Sequence, residues 1–201
     1  MKNNTKGIFK YVIEFLIVAF GVFLGMYVSD WQSNRKLEAK KDKSIAYIQN
    51  ELEINQINLL KRIEYHEKIK VGFDSIRATL TNDDMLAFYY SNTSFRHQQI
   101  PGWTGIRLPS FEDVAFEGAK ISGIIQEYDL ELTQEISRIY KQQQFISELG
   151  KSILENMIDI DSNSKTADVI SIIELLTMDF VNGERGLYNQ YNEAIAKVKK
   201  M

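Results

Sequence analysis

The residues best suited to chemistry are few and scattered along 201 positions. Gly150-Lys151-Ser152 has the ending of a phosphate-binding loop, in which backbone N–H groups cradle phosphate oxygens and the lysine neutralises them. Position 145 is Phe where that loop needs Gly, and no strand precedes it, so nucleotide binding is not expected. Asp159, Asp161 and Asn163 have the alternate spacing that opens a calcium loop. Ser164 replaces the Gly that such a loop needs, and Ile170 stands where the bidentate Glu belongs, so the segment reads as a polar turn between helices. The two histidines, His66 and His97, belong to no H-E-x-x-H or E-x-x-H pattern and supply no zinc or di-iron ligand set. His66 is therefore expected to be a packed or surface residue. No G-x-S-x-G marks a nucleophilic serine. With no cysteine, thiolate nucleophiles, thiolate metal sites and disulfides are all excluded. The expectation is a protein that is not an enzyme and needs no cofactor or metal, with unrecognised carboxylate chemistry as the enzymatic alternative.

One carboxylate stands in an unusual setting. Glu14 is the only ionisable residue of the apolar run 11–28, YVIEFLIVAFGVFLGMYV. A hydrocarbon core of ~30 Å needs about 20 helical residues, and 8–28 supplies them if Lys10 reaches back to the headgroups. Trp31, beside Tyr27, suits the interface at one end, and Lys2, Lys6 and Lys10 mark the other. A cleaved signal peptide has the same layout. The run exceeds the ~7 to 15 residues of its apolar region, however, and no A-x-A-like site follows, so a retained anchor is favoured. Gly21 and Gly25 form a G-x-x-x-G that Ser29 continues, a surface on which two helices can approach closely. Glu14 lies seven residues before Gly21, on nearly the same face. It either contacts a neighbouring helix or an ion path, or pairs with Lys10 four residues away and reaches headgroup water.

The elements around these residues read as helical. Two prolines and 11 glycines leave too few turn residues for an all-β chain, and 44% hydrophobic with 25% charged residues is a globular balance. A charge of −3, from 24 basic and 27 acidic residues, offers no footprint for nucleic acid. No Pro or Gly falls between Trp31 and Gly72, so the anchor helix is expected to run on, unless it kinks near 29–34. Ile45, Leu52, Leu59, His66, Phe73 and Leu80 are spaced by seven, with Ile48, Asn55, Arg62, Ile69 and Ile76 as companions, giving a heptad stripe with a polar middle. A short helix at 85–90 precedes a loop at 91–109 that holds both prolines. Loops longer than ~12 to 15 residues are usually functional or disordered, so Phe95, Trp103 and Arg107 are candidates for partner binding, or else a lid over the bundle.

Ser110 is expected to cap a helix over 111–126, with Asp113 at its third position. A long helix at 130–160 with Ile139, Ile146, Ile153 and Ile160 on one seam comes next. A turn at 162–165 and an apolar helix at 167–181 follow; Asn182-Gly183 is its expected C-cap, and a final amphipathic helix carries Leu187, Tyr191, Ala194 and Val198. The expected architecture is all-α: an N-terminal transmembrane helix, a long helix, and a four- to five-helix bundle. In domain terms this is a basic tail 1–10, a span 11–28, a juxtamembrane helix 29–84, a short helix and loop 85–110, and 111–201 completing the bundle.

Two stretches carry a resemblance. The first is Glu14 to Trp31 with Gly21-Val22 and Asp30-Trp31. The second is Phe111-Glu112-Asp113-Val114 through Glu117-Gly118, Ile121 and Ile124, with Ile139-Tyr140 after it. Together they resemble an uncharacterised family of single-span bacterial membrane proteins, known only as a domain of unknown function, in which Ser is usual where Glu117 stands. The resemblance implies an anchored helical domain and brings no catalytic residues. The functional expectation is a membrane-anchored interaction or scaffold protein of the cell (inner) membrane. Its partners would be lipid and either a second copy or another membrane protein, through the transmembrane helix. An accessory subunit of a larger membrane complex is the alternative. Arg35, Lys36, Lys40, Lys41 and Lys43 after the span against Lys2, Lys6 and Lys10 before it lean slightly to a cytoplasmic C-terminal part. A short basic tail before an N-terminal anchor is, however, the common layout for export, and long domains translocate largely regardless of charge, so an exported C-terminal part is expected.

Overall fold

A computed structural model describes residues 4–198, with side chains described from Phe9 to Val198. The side chains of Lys2, Lys6 and Ile8, read above as one border of the span, lie outside that description. The chain is all-α, with helices α1 (Asn4–Arg77), α2 (Asn82–Leu86), α3 (Val114–Ile121), α4 (Leu130–Ile158), α5 (Thr166–Leu175) and α6 (Val181–Val198). Among the described residues the only strand-like feature is an isolated bridge between Phe88 and Lys165. Two compact units divide the chain at Ser44 and Ile45.

In the first unit α1 passes 29–34 without a break, as a stretch free of Pro predicts. Its large apolar residues from Phe9 to Trp31 are exposed.

The second unit holds the core. The heptad stripe of α1 is its spine: Ile48, Leu52, Leu59 and Ile69 are fully enclosed, and so are the polar members Asn55 and His66. Each enclosed aliphatic side chain contributes ~1.5 to 3 kcal/mol relative to exposure. Opposite lie Ile139, Ile146 and Ile153 of α4, one turn face repeated every seven residues, together with Leu187, Tyr191 and Ala194 of α6. Bonds from Gln56 to Asn192 and from His66 to Glu184 run α6 antiparallel to α1. Bonds from Lys197 to Glu135, and the approach of Gly183 to Ile146, run α6 antiparallel to α4 as well. A second cluster, Phe73, Tyr89, Phe95, Ile100, Val169 and Ile173, fills the end of the bundle under α2 and α5.

Three expectations are corrected. Asn182-Gly183 does not end a helix: α5 passes through a π turn at Leu176–Phe180 directly into α6. Gly183 is there because a Cβ would sit 2.7 Å from Ile146 Cδ1, so the glycine serves close packing rather than capping. The helix expected over 111–126 is shorter, starting at Val114 and ending at Ile121, where Gly123 at φ 75° turns the chain into a single 3-10 turn. Ser110 does not cap it. The short helix also comes earlier than expected, at Asn82–Leu86, because Thr81 and Asp84 form a capping box there.

Candidate functional site

The segment 92–113 has almost no regular structure, so its backbone polar groups need partners. Some pair within the segment, as Gln99 and Trp103 N–H do with Arg96 O and Ile100 O, and those of Thr104, Gly105 and Glu112 reach one face of α1. Phe95 meets Phe73, Pro101 meets Gly72, and Gly102 meets Lys68. The Tyr65 hydroxyl donates to Gly105 O at 2.6 Å and accepts from the Thr104 N–H at 2.9 Å. His66 Nε2 bonds Ile106 O at 2.7 Å. Asn55 both donates to Glu112 O (2.7 Å) and accepts from its N–H (2.8 Å). Strap numbering rises as α1 numbering falls, so 92–113 is a strap laid antiparallel along the helix. A Cβ on Gly72 would come within 3.0 Å of Pro101, which is why the crossing point has none.

Where the strap becomes α3, the cap comes from a distant residue. Asp113 occupies the N-cap position without making a side-chain cap bond. The buried Glu51 carboxylate accepts from the Ala115 N–H at 2.7 Å and the Phe116 N–H at 3.4 Å, and from the Tyr140 hydroxyl at 2.5 Å. A negative group at a helix N-terminus also meets the favourable end of the helix dipole. Burial, and then the bond to Glu51, push the Tyr140 hydroxyl up. The Tyr140 ring stacks on Phe116 at 4.1 Å and 5°, beside a groove of about 610 Å³ that includes Lys120 and Gln143.

The other polar centre joins three elements. His66 of α1 is fully buried between Ile106 O and Glu184 of α6, with Nδ1 2.9 Å from Oε2. Phe180 from the π turn and Tyr65 present ring edges to the imidazole at 5.7 and 5.4 Å. Burial pushes the Glu184 carboxyl up, with the His66 bond opposing. Glu184 Oε1 is enclosed without a hydrogen-bond partner. At the far end of the strap Tyr89 shares a 2.7 Å bond with His97, and Arg96 lies over the Tyr89 ring while donating to Tyr89 O and Tyr90 O. Burial, then the Arg96 charge, hold His97 below the usual imidazole range.

The expected site residues separate between the two units. Glu14 lies 3.9 Å from Lys10, and nothing but open space surrounds Gly21 and Gly25. Ser29 is exposed, and Trp31 lies under the Arg35 guanidinium at 4.9 Å. In the loop, Phe95 is corrected: it is 0% exposed in the core and is not presented to a partner, because it fills the space between Phe73 and Tyr89. Trp103 is half-buried with its ring edge on His97 at 5.3 Å. Arg107 is exposed, holds a φ of 55°, and bonds the Thr104 hydroxyl at 2.9 Å while facing the Tyr65 ring. Asp161 accepts from the N–H groups of Asn163 and Ser164, the expected polar turn. Gly150 sits inside α4, where a Cβ would be 2.9 Å from Leu108 and 3.2 Å from Phe180, so its role is packing. Among the described residues no group of three His, Cys, Asp or Glu converges as a metal site.

Glu51, Tyr65 and Glu184 were not singled out from the sequence. The available signal was the polar middle of the heptad stripe: Asn55 and His66 at core positions each require a buried partner. Comparison with protein-family models, curated proteins and solved structures finds no match.

Proposed function

We propose that this chain is a single-pass, membrane-anchored helical interaction or scaffold protein of the cell membrane, its bundle on the exported side. The observation that carries the reading is the N-terminal stretch of α1. It contains an 18-residue window of mean hydropathy 2.2, none of it buried within the fold. Helices of that length and composition cross bilayers, and a contiguous apolar surface of this size is not left in water. The Lys10–Glu14 pair and the Arg35-covered Trp31 ring suit the two headgroup layers. The resemblance to single-span bacterial membrane proteins supports the same reading. The buried acids and amide of the bundle point away from a reaction, since Glu51, Asn55 and Glu184 are engaged in holding the chain's own strap and helix end.

The partners proposed are lipid and a second copy, meeting along Gly21, Gly25 and Ser29. The native chain has no cysteine, so single cysteines at Gly25 and at Ser33 report cleanly. The intact chain is expected to stay in the membrane pellet through alkaline carbonate. Ser33→Cys is expected to react with an impermeant thiol reagent applied from outside, and Gly25→Cys to form a disulfide-linked dimer. Release of the unprocessed chain by carbonate overturns the anchor; labelling only after lysis overturns the orientation; absence of dimer with the anchor intact overturns the second-copy partner.

A further inference from the structure

The strap carbonyl at Ile106 is held by a side chain whose protons can be counted from its partners. A carbonyl oxygen only accepts, so the 2.7 Å contact requires a proton on His66 Nε2. Nδ1 then faces Glu184 Oε2 at 2.9 Å, and that contact closes only when one further proton lies between them. The proton sits either on an imidazolium or on a neutral carboxyl, and both arrangements carry the same net charge. Both side chains are fully buried, so the proton is held between them.

We propose that this shared proton is the latch of the strap, and that losing it frees Ile106 and loosens 100–113 from α1. After the loss, one ring proton remains for two acceptors, the Glu184 carboxylate and the Ile106 carbonyl. A buried carboxylate stripped of its donor costs more than a carbonyl does, and Glu184 Oε1 already has no hydrogen-bond partner. The ring therefore keeps Nδ1–H toward Glu184 and turns the Nε2 lone pair onto the Ile106 oxygen. Two lone pairs facing each other repel, and the strap is the part that can move.

Among the described residues His66 is the one side chain bonded to the Glu184 carboxyl. On α1, Arg62 favours the Glu184 carboxylate and Glu67 opposes it, while Glu67 is itself bound to Arg185 of α6. Tyr65 and Phe180 offer ring edges, α4 approaches Phe180 through Gly150, and Arg107 of the strap is engaged with Thr104 and the Tyr65 face. Burial raises the Glu184 carboxyl above its ordinary 4.5. A group raised on folding contributes stability that is present below its unfolded value and lost as pH rises through the folded one, so the release is alkaline.

The test uses the full chain in detergent micelles between roughly pH 5 and 8, above the ordinary 4.5 of the Glu184 carboxyl. Long-range 15N spectra are expected to show the His66 proton on Nε2 at the acid end and only on Nδ1 at the alkaline end. The Thr104 amide, held at 2.9 Å by Tyr65, is expected to lose exchange protection by about tenfold or more while the α4 amides keep theirs. In Glu184→Gln the amide donates permanently to Nδ1, Nε2–H stays on Ile106, and Thr104 protection becomes independent of pH. Flat protection in the native chain, or a Glu184→Gln protein that follows it, overturns the latch. Should the variant fail to fold, the native chain alone decides: Nε2–H retained at the alkaline end overturns it.

Discussion

Glu51 accepts from three donors at once, which sets the scale of what its loss does. Glu51→Ala leaves the Ala115 and Phe116 N–H groups and the Tyr140 hydroxyl without their acceptor. Each unsatisfied buried group costs ~1 to 3 kcal/mol, with some recovered by water, so a loss of about 3 kcal/mol is expected in urea unfolding of the detergent-solubilised chain. Tyr140→Phe removes one donor and leaves both backbone bonds, so about 1 kcal/mol is expected. Equal losses for the two variants would mean that the α3 cap contributes nothing. Asp84 gives the pH dependence a second, opposite branch. Bonds from Ser94 and then Thr81 lower its carboxyl from 3.8 to about 2. A group depressed on folding contributes stability that is complete above its unfolded value and lost as pH falls through the folded one. The α2 turn is therefore expected to loosen between about pH 4 and 2, read from the Thr81 and Asp84 amide shifts, while the strap stays latched.

At the level of elements, the glycines separate packing from propensity. Gly118 lies in α3 with open space where a Cβ would go, so Gly118→Ala is expected to raise stability by ~0.5 to 1 kcal/mol through helix propensity alone. Gly72 is equally helical, but its Cβ would meet the Pro101 ring and carbonyl oxygen at 3.0 Å. Gly72→Ala must push the strap, and faster proteolytic cutting within 92–113 is expected despite the same gain in propensity. Equal protease resistance in the two variants would remove Gly72 from the strap seat. What the sequence made legible follows the same division. The α4 seam and the α1 stripe could be read because burial repeats every seven residues along one element, and the pattern is local. The strap could not, because its partners Tyr65 and Asn55 act across 40 and 57 positions, where no periodicity links the two ends. Gly183 was misread for a related reason: Asn-Gly is a stop signal by its own chemistry, and only the neighbour Ile146 turns it into a packing site.

For the whole molecule, the division at Ser44 and Ile45 carries a thermodynamic consequence. No side chain from Phe9 to Ser44 belongs to either core cluster, whereas the spine of the second unit begins at Ile45 and Ile48. The apolar side chains from Phe9 to Trp31 therefore gain little from burial among the described residues, and in the anchor proposed above lipid or a partner helix would stabilise them. The second unit has its own core and its own strap, and the bonds of Glu51, Asn55 and His66 close within it, which is what independent folding requires. A fragment of Ile45–Met201 is accordingly expected to remain in solution without detergent, to keep its helical circular dichroism, and to unfold in one cooperative transition. Its stability should lie within about 1 kcal/mol of that of the full chain in micelles, because both core clusters lie within Ile45–Val198. The full chain without detergent is expected to aggregate. A fragment that is helical but lacks a cooperative transition would mean that the bundle needs the anchor helix to organise its core, and the two units would then have to be treated as one folding unit.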